Sequence, residues 1–224
     1  MFKTIGAIVA LVALSACSGT GSGSLPPGSG NSKTLNLASS NWQSLDSKTV
    51  QPSGSDLAAF AFSEQTHSRV LVTANDPSKN PFLGNHDLET INATANVTGL
   101  TGLFTYSGEP SCGNTISNVR LFFTSTGGPF AFTDYWWSDS PPGSATLDSN
   151  NSLTFNASLD PTTPWSDWNG QPSSGLPTEF NAAASDITSI GLSFGGGCFF
   201  ENGVGTSDGS GLFTLRTFDD GTRM

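Results

Sequence analysis

Charge is scarce in this chain. Of its 224 residues only 12 % are Asp, Glu, Lys or Arg, and only eight of those are basic. Eight cations spread along the sequence assemble no basic face, which argues against nucleic acid as a partner. Histidine is scarcer still: His67 and His86 are the whole supply. Two histidines, three cysteines and no Cys-x-x-Cys leave no zinc site of ordinary spacing. No Walker lysine accompanies the glycine-rich stretches, and no EF-hand loop or internal repeat is present. The one long apolar run, residues 5–14, is too short to span a bilayer.

Abundant instead are Gly (26), Pro (13), Ser, Thr and Asn. That composition suits short strands joined by many turns and disfavours surface helices, which need Ala, Leu, Glu and Lys. Strand-like pieces fall at residues 57–62, 68–73, 88–97, 103–106, 119–124, 130–137, 153–159, 187–194 and 211–218. Residues 35–42 add a first strand or an aromatic plug. In VRLFFT, Val119, Leu121 and Phe123 share one face. Only residues 179–185 have helical character. About nine or ten strands at this spacing predict an all-β, jelly-roll-like antiparallel β-sandwich over residues 34–220.

The sequence centres on residues 186–215, DITSIGLSFGGGCFFENGVGTSDGSGLFTL. Two β-rich segments flank a loop crowded with glycine, a density that no helix tolerates. The segment reads as the closing hairpin of the domain. Residues 219–224 read as a frayed end.

The N-terminus predicts a compartment. Lys3 precedes the apolar run, which ends in Leu14-Ser15-Ala16-Cys17. That tetrapeptide resembles the bacterial lipobox, in which the peptide before the cysteine is removed and the cysteine is lipidated. The resemblance implies a signal peptide at residues 1–16, a lipidated Cys17 and a Gly/Ser-rich tether to residue 33. The expected location is the bacterial cell envelope, with a lipid anchor in the membrane. Losing Lys3 takes the formal charge from −10 to −11. The remaining pair, Cys112 and Cys198, is most simply a disulfide in an exported protein. It would close a loop of roughly 86 residues, contributing on the order of 4 kcal/mol in the chain-entropy picture.

Chemistry-bearing residues are few. Trp136 and Trp137 are neighbours in a strand and therefore face opposite ways, so one is expected outside the core or under a loop. WSDWNG contributes Trp165, Asp167, Trp168 and Asn169. An indole beside amides and carboxylates is suited to sugars, the ring against the apolar pyranose face and the polar groups on the hydroxyls. Trp136, Trp137, Trp165, Asp167, Trp168 and Asn169 are thus the expected carbohydrate contacts. Glu109 and Glu201 flank the two cysteines at equal spacing and form the candidate pair for a glycan hydrolase. Gly191-Leu192-Ser193-Phe194-Gly195 spells Gly-x-Ser-x-Gly, but on a strand with no helix to follow, which is the wrong context for a nucleophile. No metal site is assigned; scattered Asp and Asn oxygens, as at residues 206–209, leave calcium open.

WSDWNG, IGLSFGGGCFFENGV and GSGLFTL together resemble the end of galactose-binding-like jelly rolls, the fold of many bacterial carbohydrate-binding modules. The likeness covers residues 119–215. It implies the sandwich and carries over no ligand residue. The expected function is a non-catalytic carbohydrate-binding module on a membrane-anchored lipoprotein, with an extracellular or periplasmic glycan as partner and no cofactor. The alternatives are a structural or protein-interaction lipoprotein without a small-molecule site, and a glycan-active hydrolase.

Overall fold

Alternation of side chains along short strands builds two sheets that share one apolar layer. The computed structural model describes residues 33–45, 51–53, 56–63, 70–73, 78, 80–86, 88–106, 117–125, 131–139, 141–196, 200–201 and 203–221. Cys17, Cys112, Cys198, His67 and Glu109 lie outside the described residues, and with them the lipidation site and the disulfide.

The larger sheet runs, in spatial order, through β1 (Trp42–Leu45), β4 (Val70–Thr73), β12 (Ile187–Gly195), β7 (Asn118–Ser125), β8 (Tyr135–Ser138) and β11 (Trp165–Asp167). The two-residue β9 (Ser144–Ala145) pairs with β7 off this path. The second sheet runs β10 (Ser152–Ser158), β5 (Thr90–Thr98), β14 (Ser210–Asp219), β3 (Leu57–Ser63), β2 (Gln51–Ser53). A small pair joins β6 (Phe104–Tyr106) to β13 (Val204–Thr206). Every described pairing of these strands is antiparallel. The protein is an all-β antiparallel sandwich, as its composition predicts, and its architecture is compatible with a jelly roll.

Phenylalanines lock the two sheets together. Phe60 of β3 stacks on Phe213 of β14 at 5.1 Å, and both meet Phe194 of β12 edge-on at 5.0 and 4.8 Å. Such edge-to-face pairs add to area burial about 0.5–1.5 kcal/mol each. The predicted inward face of β7 holds: Val119, Leu121 and Phe123 all lie in this core. The single described α-helix, α1 (Pro177–Ala184), begins with proline in its first turn, where the missing N–H costs nothing. It drives Phe180 between Phe123, Trp136 and Trp165.

Two expectations are corrected. The residues flanking the glycine-rich loop do not form a hairpin: β12 belongs to the larger sheet and β14 to the smaller. Between them in the chain, β13 pairs with β6. Glycine density therefore marks a change of sheet; Gly203 and Gly209 there take φ of 90° and 82°. Nor does the chain fray at Asp219. That residue ends β14 and is buried, and its neighbour Asp220 accepts a hydrogen bond from the Lys33 N–H at 2.9 Å and returns one to the Lys33 carbonyl at 3.1 Å. Lys33 Nζ also reaches Glu89 at 2.5 Å, next to the buried His86. The start and end of the described chain are thus tied together.

Candidate functional site

The larger sheet has an unusual outer face. In an antiparallel sheet with one covered side, outward positions are ordinarily polar. Here one register row reads Val72, Gly191, Phe122, Trp137, Ser166 across β4, β12, β7, β8 and β11. Val70, Val72, Phe122 and Trp137 form a second buried apolar cluster, separate from the inter-sheet core, with Tyr135 and Phe200 packed against it.

Trp136 and Trp137 separate as strand geometry requires. Trp136 faces the core, 0 % exposed, its indole N–H donated to the Thr133 carbonyl at 2.8 Å. Trp137 faces outward yet is only 3 % exposed. It lies against Phe122 at 4.9 Å, Trp168 at 5.8 Å and Phe200 at 6.2 Å, so neighbouring loops cover it. Its N–H donates to Ser193 Oγ at 3.1 Å, and that hydroxyl donates to the Phe200 carbonyl at 2.5 Å. The serine of the Gly-x-Ser-x-Gly string is therefore a buried link between a strand and a loop.

Trp165 and Trp168 also part company. Trp165 is 1 % exposed, faces the core beside Phe123 and Phe180, and donates to the Ser158 carbonyl at 2.8 Å. Beyond it the chain turns tightly. Asp167 Oδ1 accepts the N–H groups of Asn169 and Gln171 at 2.9 and 2.8 Å, a turn that Asp forms readily. Gly170 completes it at φ 73°. The turn leaves Trp168 44 % exposed, with its backbone N–H donated to the Phe132 carbonyl at 3.3 Å and its ring against Tyr135 at 5.4 Å.

Between these elements lies a cleft of about 240 Å³, lined by Trp137, Asp167, Trp168, Asn169, Gly170, Phe200 and Glu201. Four of the six residues expected at a sugar site meet here: Trp137, Asp167, Trp168 and Asn169. Trp136 and Trp165 do not, because their strand positions aim them into the core. Sequence reasoning missed Phe200, and it placed Glu201 only as a candidate acid. The available signal was an aromatic residue within a glycine-rich loop next to a carboxylate.

One wall of the cleft is held from behind. Arg120, outward on β7 but buried, lays its guanidinium 3.9 Å from the centre of the Phe200 ring. Its Nη1 donates to the carbonyls of Ser138 and Asp139 at 2.8 and 3.0 Å. Burial pulls its pKa below the usual arginine value, opposed by the Asp139 charge; an arginine in such a place remains protonated at neutral pH. Asp139 in turn accepts the Ser166 hydroxyl at 2.7 Å. Among the described residues, no three His, Cys, Asp or Glu side chains gather closely enough to hold a metal ion.

The turn leading into β11 gives a pH prediction. Asp160 Oδ1 accepts the Thr162 N–H at 2.7 Å and its hydroxyl at 2.8 Å, which hold the carboxyl below the usual aspartate range. A depressed folded-state pKa means stability present above the unfolded value, about 3.9, and lost as pH falls through the folded value. Asp160→Asn is expected to lower the melting temperature slightly at pH 6, and by less and less as pH falls toward 2. A constant difference between the two melting curves across that range would contradict this.

No protein-family model matches the sequence, and no curated protein matches it.

Proposed function

We propose that this chain is a non-catalytic carbohydrate-binding domain, whose site is the outer-face cleft and whose contacts are Trp137, Trp168, Asp167 and Asn169. Exposed Trp168 carries the reading: an indole 44 % open to solvent, on a turn that also presents an amide, above a cleft floored by a second indole. One exposed ring alone is ordinary, but rings gathered at a cleft, here Trp168 with Trp137 and Phe200, are what marks a ligand site. A pyranose has the matching form, with an apolar face for the ring and hydroxyls for Asn169 and the carboxylates. The galactose-binding-like jelly roll suggested by the C-terminal half, and membrane anchoring through Cys17, belong to the same proposal.

A protein-interaction role is the second reading. Phe132, 46 % exposed, is joined to Trp168 by a backbone hydrogen bond, and two exposed aromatic residues in this part of the surface also suit a protein partner.

The test is a titration of the protein with a panel of oligosaccharides, followed by tryptophan fluorescence. A saturable change is expected, and Trp168→Ala should weaken binding by roughly 5- to 30-fold, the worth of about 1–2 kcal/mol. The fold should survive that change, since the side chain is half exposed. A flat response across the panel would transfer the reading to the protein-interaction role.

A further inference from the structure

Bonds in both walls fix the width of the cleft. On one side, Asp167 Oδ1 closes the turn that carries Trp168 by accepting the N–H groups of Asn169 and Gln171 at 2.9 and 2.8 Å. The Trp168 backbone is tied again to the Phe132 carbonyl. On the other side, the Phe200 carbonyl accepts the Ser193 hydroxyl at 2.5 Å, and the Arg120 guanidinium backs the Phe200 ring at 3.9 Å. Trp137, the floor, meets the Trp168 ring at 5.8 Å and the Phe200 ring at 6.2 Å, each tilted 58° from it. Rings so inclined to their floor do not make one flat surface. Tyr135 does run nearly parallel to Trp137, at 18°, but Trp137 is buried and the pair makes no open platform. The cleft volume, about 240 Å³, falls below the roughly 300–1,000 Å³ of sites that bury drug-sized ligands. A disaccharide is already a ligand of that size.

We propose that the cleft is a single-pyranose subsite, which holds one sugar unit of a soluble glycan with Phe200 as a contact alongside Trp168. It does not take the flat face of an ordered polysaccharide. The inference rests on the sugar-binding reading and deepens it, by assigning Phe200 and by limiting how much of a glycan is gripped. A pyranose offers its apolar C–H surface to rings on two sides, and its hydroxyls to polar groups such as the Asn169 amide. Sugars linked to the held one extend past the two walls and add little. An ordered polysaccharide presents a plane of many chains, which inclined rings meet only at an edge.

The experiment is isothermal titration of the full-length protein in detergent with oligosaccharide ladders from monomer to hexamer. The ladders are β-1,4-linked glucose, N-acetylglucosamine, mannose, xylose and galactose. For a ladder that binds, affinity counted per sugar unit is expected to level off by the dimer and to change less than about threefold from there to the hexamer. A further unit stacked on a second ring would instead tighten binding roughly 2- to 12-fold. Phe200→Ala should weaken binding about tenfold. Should that variant fail to fold, Phe200→Leu, which keeps bulk and loses the flat ring, replaces it. Phe132→Ala, outside the cleft, should leave affinity within about twofold at every length. Microcrystalline cellulose and crystalline chitin should leave the protein in the supernatant. Affinity that climbs with each unit to the tetramer, or retention on either crystal, would overturn the single-unit site and leave sugar binding standing. A loss in Phe132→Ala confined to long oligomers would do the same by exposing a second subsite. Normal binding by the Phe200 variant would overturn its assignment as a contact. Silence from every ladder would remove the sugar reading, and this inference with it.

Discussion

Gly191→Ala is expected to lower the melting temperature by roughly 6–12 °C, the consequence of a loss of about 3 kcal/mol in a chain of this size. Gly191 faces outward in β12, in the same register row as Trp137 and Phe122, opposite Val72 of β4. A Cβ there would lie 2.1 Å from the Leu71 carbonyl oxygen and 2.8 Å from Val72 Cα. Both obstacles are backbone, so no rotamer change relieves the overlap, and β4 must move away from β12. That separation would shift Val70 and Val72, which pack in the same outer-face cluster as Trp137. If the proposed function holds, weakened sugar binding should accompany the loss of stability. Gly175→Ala is the control: its Cβ would meet only Pro172 Cγ, at 3.8 Å, and stability should stay within about 0.5 kcal/mol. Thermal melts of both variants check the prediction, and equal melting temperatures would show that β4 and β12 have slack.

Much of the architecture was legible because period-two alternation is a local signal. The residues of β7 show it: Val119, Leu121 and Phe123 inward, Arg120 and Phe122 outward, each where alternation puts it. The helical stretch was legible from its run of alanines. What the sequence did not reveal is which strands share a sheet. β12 and β14 are close in the chain and bounded by glycine, the usual marks of a hairpin. Their partners are instead β4 and β7, and β3 and β5, chosen by long-range burial of Phe194 and Phe213 from opposite sheets.

The site was legible by composition and illegible by direction. WSDWNG announces a turn with two indoles, but only pairing decides that Trp165 opposes Ser138 and points into the core. Trp168 follows one residue beyond the strand, past Asp167, and escapes. Phe200 and Arg120 were hidden for another reason. Their contact joins residues eighty positions apart, and neither residue carries a local pattern that foretells it.

Adjacent tryptophans with separate duties give the last prediction. Trp136→Ala is expected to cost about 3–5 kcal/mol, a fall in melting temperature of roughly 6–20 °C. The indole is fully buried, meets Phe180 edge-on at 4.9 Å, and donates to the Thr133 carbonyl at 2.8 Å. Removing it leaves a cavity in the layer between the sheets and a carbonyl without its donor. Its side chain lies on the opposite face of β8 from the cleft, so affinity measured well below the melting transition should change less than about twofold. Fluorescence separates the two populations. Of the five tryptophans, Trp42, Trp136, Trp137 and Trp165 are buried and Trp168 alone is exposed. Acrylamide should therefore quench one component readily and the rest poorly, and Trp168→Ala should remove the accessible component. Trp136→Ala should remove only shielded emission. Should Trp136→Ala abolish sugar binding in a protein still folded, the cleft and the core would be one cooperative unit, and the division of labour across β8 would fail.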